Sequence, residues 1–444
     1  MLWKQESFVV LSPLQIEFFR NLLKTEEGKP LQVRIVLVNP ASVDPSPPPR
    51  PRADRWSITE LGSRLPLTVA NLTKLSKAAD PWSSCLACYF DSDGEPYVWG
   101  LVDQTVHFNV MLVREARGGG YAPPGLFQVL AAGPADLSVF REYGFVARLQ
   151  QDQLLTRQND VFSKGPIAHN LLPGVERYLR TTSQILSRFR TPKYLFEGEL
   201  HDYLNIWKKE IASDWMAVLC RLLIGIQKYR HGGALLITRS SADLNIKYRI
   251  VYPRIPWALA NRTAFSIANM AARDRIHDHY LEEEKKFMPI GLYRDEAVAD
   301  GERDDHEDEL TGSVRFISSM SCVDGLILAS PDLAIRGFGV EIRTKNEPPS
   351  VYLSPSPNAP EKRLRKIDPS HFGTRHRTMM RYCFAHPGSV GFVISQDGDI
   401  RAITRVKERL VIWENLKVLD YWESSRKRKK VTSAVLPAPA VQVQ

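Results

Sequence analysis

The chain has 444 residues, with 59 Lys and Arg against 50 Asp and Glu and a formal net charge of +9. That length exceeds what one hydrophobic core usually holds, so two or more domains are expected. A content of 43% hydrophobic and 25% charged residues is ordinary for a folded protein and excludes a fibrous or wholly disordered chain. No apolar run approaches the roughly 20 residues that span a bilayer, and the start MLWKQESFVV lacks the basic stretch and cleavage site of a secretory signal, so a soluble, cytoplasmic protein without a membrane partner is expected.

In chain order, QVRIVLV at 32–38 alternates as a half-buried strand does, and the proline-dense stretch 40–52 reads as an extended loop. TVANLTKLSKAAD has a helical pattern, and CLACYF, YVWGLV, HFNVMLV and GLFQVLAAG read as strands. Five cysteines, an odd number spread along the chain, argue for reduced thiols. Cys85 and Cys88 form a lone CxxC with no second pair to complete a zinc site, and read as packing residues. This N-terminal part carries no paired acid and base, no phosphate loop and no metal spacing, which suits sensing better than catalysis.

Residues 167–200 are helical in pattern with interruptions expected at Pro173 and Pro192, as a connector would be. A longer helix follows, with Leu204, Trp207, Ile211, Trp215, Val218, Leu222 and Ile226 on one buried face, and His231-Gly232-Gly233 stops it before the strand ALLIT. The alternating NIKYRIVY, a helix over 260–286 and the acidic stretch 295–310 come next. Asp304, Asp305, Glu307 and Asp308 are expected near the N-terminus of a third helix, where the helix dipole favours negative charge, and they lack the order of a calcium loop. Strands are expected at DGLILAS, LAIRGFGVEI, VGFVIS and DIRAITR, interrupted by a Pro/Ser-rich insertion at 347–361. Strands alternating with helices indicate an α/β unit built on one mixed sheet, in which ligands gather at strand ends.

Three elements of that last region point to an anion and a metal. Asp324-Gly325 lies where a helix hands over to a buried strand, with a neighbour small enough for close backbone approach. Gly373 and Thr374 precede Arg375, His376 and Arg377 at a helix start, with Thr374 a potential N-cap. Backbone N–H groups there attract phosphate, and Arg adds forked donors. Ser395 offers a hydroxyl at another strand end. An aspartate nearby suits Mg²⁺ or Mn²⁺, which share phosphate oxygens as ligands. No Walker A sequence is present to explain phosphate binding otherwise.

DGL at 324–326, GTRHRT at 373–378 and VGFVISQDGDI at 390–400 resemble the DGA, GTRHR and V-S-E-E-T-G segments of the diadenylate cyclase domain of the DisA N-terminal type, over about 210–415. ADPWSSCLACYFDSDGEPYVWGLVDQ and GLFQVLAAGPADLSVF are similar to the probable sensor domain called DACNV that accompanies such cyclases in bacteria. Patterning divides the chain into an α/β domain at 1–165, a helical connector at 166–205, an α/β domain with a helix-flanked mixed sheet at 206–420 and a basic disordered tail at 421–444 containing RKRKK; the resemblance implies that the first α/β domain is sensor-like and the second cyclase-like. It implies cyclic di-AMP synthesis from two ATP, with Mg²⁺ or Mn²⁺ and face-to-face association of two cyclase domains. An unknown ligand would occupy the sensor.

By the same resemblance Asp324 would bind the metal and help activate the attacking hydroxyl. Gly325 and Leu326 would line the nucleotide pocket, with Ile342 where a leucine is expected. Thr374, Arg375, His376, Arg377 and Thr378 would hold phosphates. Leu326 stands where the family has alanine, and Gln396 and Asp397 stand for its two glutamates. These departures keep a second reading open, a cyclase-like module that binds ATP or a dinucleotide without turnover. A third, nucleic-acid binding through the net charge and RKRKK, finds no helix-turn-helix, zinc-finger or aromatic platform to support it.

Overall fold

A computed structural model describes residues 25–26, 29–30, 32–42, 57–80, 83–103, 127–133, 136–141, 144–150, 153–189, 199–229, 231–277, 290–395 and 399–418. The strand expected at HFNVMLV, the break expected at Pro192, Gln396 with Asp397, and the tail with RKRKK lie outside these residues, as does most of the first proline-rich loop.

The described residues form two mixed sheets with seven α-helices. A short ladder of β1 (Thr25–Glu26) and β2 (Lys29–Pro30) precedes the first sheet. That sheet uses β3 (Val33–Leu37), β4 (Ser57–Pro66), β5 (Ser84–Phe90), β6 (Pro96–Asp103), β7 (Phe127–Gly133), β8 (Asp136–Arg141), β9 (Gly144–Gln150) and β10 (Gln153–Leu155), in the order β10-β9-β8-β7-β3-β5-β6-β4. Only the β3–β5 pairing in it is parallel. Helix α1 (Val69–Leu75) packs Leu72 against one face, and Thr68 caps it by accepting from the Asn71 amide.

β3 departs from expectation. Its alternating sequence suggests one wet face, yet Val33 to Val36 are all buried, because β3 lies mid-sheet between β5 and β7 with an apolar cluster on each side. Arg34 is admitted there because it donates to the buried Gln128 side chain at 3.0 Å. Cys85 and Cys88 are buried free thiols on β5, and burial pushes Cys85 up to about 12, so both act as small apolar residues.

The second sheet takes β11 (Gly233–Ile237), β12 (Leu244–Tyr252), β13 (Leu326–Ala329), β14 (Ile335–Ile342), β15 (Val351–Leu353), β16 (Arg365–Ile367), β17 (Val390–Ile394), β18 (Ile400–Val406) and β19 (Arg409–Trp413), in the order β12-β14-β13-β11-β17-β18-β19-β15-β16. Period-two alternation divides its side chains. Leu235, Ile237, Ile327, Ala329, Phe392 and Trp413 enter a core shared with α2 (Pro166–Leu186), α3 (Glu199–Ile206), α4 (Lys208–Lys228), α5 (Arg254–Asp274) and α6 (Ile290–Ser319). Leu236, Leu328, Val393 and Ile412 face the other way, onto Met379, Met380, Tyr382 and Cys383 of α7 (Thr374–Ala385).

Several expected boundaries move. α2 runs through Pro173 instead of breaking there, since its buried face continues on both sides from Ile167 and Leu171 to Val175 and Tyr178 and offsets a cost of about 3 kcal/mol. Thus α2 and α3, in the expected connector region, contribute residues to the second core. The long helix expected through Leu204 to Ile226 divides at Trp207 alone, and its predicted face is buried except for Trp207, which is half-buried. The Pro/Ser-rich insertion is built into the fold, adding β15 to the sheet beside the edge strand β16 that follows it, and accepting the Trp413 indole N–H at Ser356.

The acidic stretch is a correction. α6 starts at Ile290, so Asp304, Asp305, Glu307 and Asp308 lie mid-helix, away from the dipole's end. Glu307 is 3% exposed and accepts from Arg221 at 2.7 Å, with Arg262 at 3.3 Å, while Arg262 also reaches Asp214. The partners sit on α4 and α5, which spacing along α6 could not reveal. No helix among the described residues is long and apolar enough to cross a membrane.

Candidate functional site

The strands that meet α7 bring the separated motifs together. The 3₁₀ turn Met320–Cys322 ends α6, and Asp324-Gly325 forms the step down into β13. Gly325 has φ +116°, and a Cβ there would lie 2.5 Å from the Gly339 carbonyl carbon and 2.7 Å from the Val340 nitrogen. The step therefore needs glycine, and it leaves the Asp324 side chain 98% exposed.

α7 begins after Gly373, which has extended backbone and no side-chain cap; Thr374 is the first helical residue rather than the cap. The N–H groups of a first helical turn have no acceptor within the helix. Arg375 leans from this turn toward Asp324, with Nη2 3.6 Å from Oδ1 and Nη1 3.4 Å from the His231 carbonyl. Arg377 is half-buried, and its Nε is buried without a hydrogen-bond partner. The Thr378 hydroxyl donates back to the Thr374 and Arg375 carbonyls of its own helix.

His376 turns inward. It is 8% exposed, lies 5.4 Å from the Phe372 ring, and its Nε2 is 3.3 Å from Arg401 Nη1. A guanidinium only donates, so Nε2 accepts and the ring proton sits on Nδ1. Burial, and after it the Arg401 cation, brings the imidazole down to about 4, so it is neutral at neutral pH. Ser395, just past β17, accepts from the same Arg401 Nη1 at 3.0 Å. Leu326 is buried at 6% in the core beneath α7, and Ile342 at the end of β14 packs on the same cluster.

The structure thus joins Asp324 with Arg375, and His376 with Ser395. The second pair depends on Arg401, which reading DIRAITR only as a strand did not single out. Also overlooked was Tyr248 on edge strand β12. Its ring stacks on Phe338 at 4.8 Å and lies against Gly339, where a Cβ would meet it at 2.9 Å. Gly339 in turn borders the Asp324 backbone carbonyl, so Tyr248, 51% exposed, lies across Gly339 from the Asp324-Gly325 step. The signal was available in GFG, two glycines around an aromatic in a strand.

Among the described residues no three His, Cys, Asp or Glu side chains gather to hold a metal. Asp324 is one hard oxygen donor, exposed on nearly its whole surface. That fits Mg²⁺ or Mn²⁺ bound in the usual nucleotide manner, by one or two carboxylates with water and phosphate oxygens completing the shell. An all-protein cage does not fit.

Residues 10–103 match the family described as "Probable sensor domain DACNV". No curated protein and no solved structure gives a match to the chain.

Proposed function

We propose that the C-terminal unit is a diadenylate cyclase that condenses two ATP into cyclic di-AMP, controlled by the N-terminal sensor domain. The observation that carries the reading is the approach of Asp324 to Arg375 at 3.6 Å over the first turn of α7. An exposed carboxylate suited to a metal and a forked cationic donor then lie together at the start of a helix, the groups that a triphosphate would engage. The motif resemblance and the sensor match at 10–103 support the same assignment.

In this chemistry the 3′-hydroxyl oxygen of one ATP attacks the α-phosphorus of the other, and the bond to the β-phosphate oxygen breaks. Pyrophosphate leaves with that electron pair, and the hydroxyl proton passes to solvent. A second, reciprocal transfer closes the ring and releases a second pyrophosphate. Phosphoryl transfer of this kind needs alignment and charge neutralisation more than covalent chemistry. Arg375 and Arg377 supply charge to the phosphates, and Thr374 and Gly373 present backbone at the helix start. Gly325 and Tyr248 shape the edge near the base. Asp324 would hold Mg²⁺ or Mn²⁺, which neutralises phosphate charge when bound. Each site holds one ATP, so a homo-oligomer with facing cyclase domains is part of the proposal.

The test is incubation of the purified chain with ATP and Mn²⁺ or Mg²⁺, with products separated by chromatography, over a range of protein concentrations. Cyclic di-AMP and two equivalents of pyrophosphate are expected, with a rate per chain that rises with concentration. Tight ATP binding without product at any concentration would replace the enzyme with a nucleotide-binding module.

A further inference from the structure

Arg148 on β9 is a cation in the N-terminal sheet that is only 9% exposed. Its Nε and Nη2 donate to the two oxygens of Asp136 on β8, at 2.7 and 2.6 Å. Its Nη1 reaches out of that sheet to Asp399 Oδ1 at 3.1 Å, 251 positions further along the chain and next to the start of β18. Asp399 is 3% exposed, and its Oδ2 accepts from Arg401 Nη2 at 2.9 Å. Arg401 Nη1 then serves both Ser395 Oγ and His376 Nε2, while its Nε is fixed by Glu414 at 2.7 Å. Arg148, Asp399, Arg401 and His376 form a continuous chain of contacts from the first sheet to the first turn of α7, one residue from Arg375.

The surrounding backbone holds the same approach. Asn159, which follows the last strand of the first sheet, donates from its amide to the Asn415 carbonyl at 2.8 Å and from its side chain to the Glu414 carbonyl at 2.7 Å. The Lys417 amide returns a bond to the Asn159 carbonyl at 2.9 Å. Docking alone gives no reason for buried charge, because apolar residues of similar volume commonly stabilise as well or better. What a fully bonded charge network specifies is geometry. Asp399 is shared between one arginine from each sheet, so moving Arg148 changes what Arg401 experiences, and Arg401 in turn orients two residues at the site.

We propose that Arg148 is a positioning residue of the α7 anion site: gripped by Asp136, it fixes Asp399 and thereby Arg401 and His376, so that displacement of β8 and β9 is felt at Arg375. The proposal rests on the reading of that helix start as a phosphate site. It names the physical route by which the sensor domain controls it, a contiguous network whose two ends sit in different sheets.

The experiment uses the full chain with the pair-deleting variant Arg148→Met/Asp136→Leu, which removes the arginine together with the carboxylate that grips it. Arg177→Met, at an exposed pair with Asp332, is the control. Two quantities are measured: the imidazole ¹H–¹⁵N signature of His376, assigned by its loss in His376→Gln, and the affinity for Mg-ATP by calorimetry. The wild-type ring should show one tautomer, protonated on Nδ1. The pair-deleted variant should show mixed tautomers and ATP affinity weaker by about five- to tenfold, a typical span for coupled sites, while the control changes neither. If that variant does not fold, Arg148→Lys, which keeps the charge but loses the fork joining two carboxylates, should give the same His376 change. An unaltered His376 signature in a folded variant, with unaltered ATP affinity, overturns the proposal. A wild-type chain that binds no ATP removes the phosphate reading instead, and the His376 signature alone then decides the coupling.

Discussion

Gly325→Ala tests how the carboxylate is presented. At φ +116° an L side chain is strained whatever the space around it, at about 1–3 kcal/mol. Here there is also no space: the added Cβ would lie 2.5 Å from the Gly339 carbonyl carbon, 2.7 Å from the Val340 nitrogen and 2.8 Å from the Gly339 Cα. These are backbone atoms of β14, paired to β13 and β12, so none can rotate away as a side-chain tip would. Overpacking of that kind adds about 1–3 kcal/mol, and the two together predict a loss of about 2–6 kcal/mol. Urea unfolding of the C-terminal unit followed by tryptophan fluorescence is a suitable assay, because Trp215 and Trp413 are buried in that core. Gly312→Ala is the matched control. Gly312 is an exposed interior residue of α6 with nothing near its virtual Cβ, so alanine should stabilise by up to about 1 kcal/mol. If Gly325→Ala unfolds at the parental midpoint, the steric account of this turn is wrong, and with it the reason Asp324 projects outward.

Asp324→Asn should abolish metal-dependent product formation while leaving the unfolding midpoint unchanged, since the carboxylate is solvent-exposed; Arg375→Ala should weaken ATP binding as well as turnover, and parental rates in both would exclude the site. Glu307→Gln should destabilise by about 3–5 kcal/mol, because Arg221 and Arg262 would keep buried charge with a lost partner; an unchanged denaturation midpoint would refute it. His376 is neutral when folded, with its value lowered from 6.5 to about 4. The unfolded chain therefore binds more protons between those values. Its stabilising contribution is complete above about pH 6.5, declines as pH falls, and is gone below about 4, a span of order 3 kcal/mol. His376→Gln should flatten that part of the stability profile, and an identical slope in both proteins would show that the imidazole is not held neutral.

Much of this architecture is legible one residue at a time. The spacing Ile211, Trp215, Val218, Leu222 and Ile226 announces a buried helix face, while the helix ends at Lys228 with Tyr229 as its cap, ahead of the His231-Gly232-Gly233 stop that the sequence suggests. VGFVIS and LAIRGFGVEI read as strands because their apolar content and glycines leave few alternatives, and both lie inside the second sheet. The pairing of Asp324 with the GTRHR turn could be suspected from motif order.

What sequence alone determined were properties carried by short segments: helix and strand periodicity, a glycine where close backbone approach is needed, and residue types suited to phosphate and a hard cation. The tertiary fold decided which of those residues meet. It buried Glu307 among arginines from two other helices and made β3 a central strand. It also turned His376 toward Arg401 and carried Arg148 from the first sheet to Asp399. Each of these depends on partners dozens to hundreds of positions away, and whether a charge is solvated, capped or paired is fixed by the dielectric and the neighbours that packing brings, which no local pattern encodes.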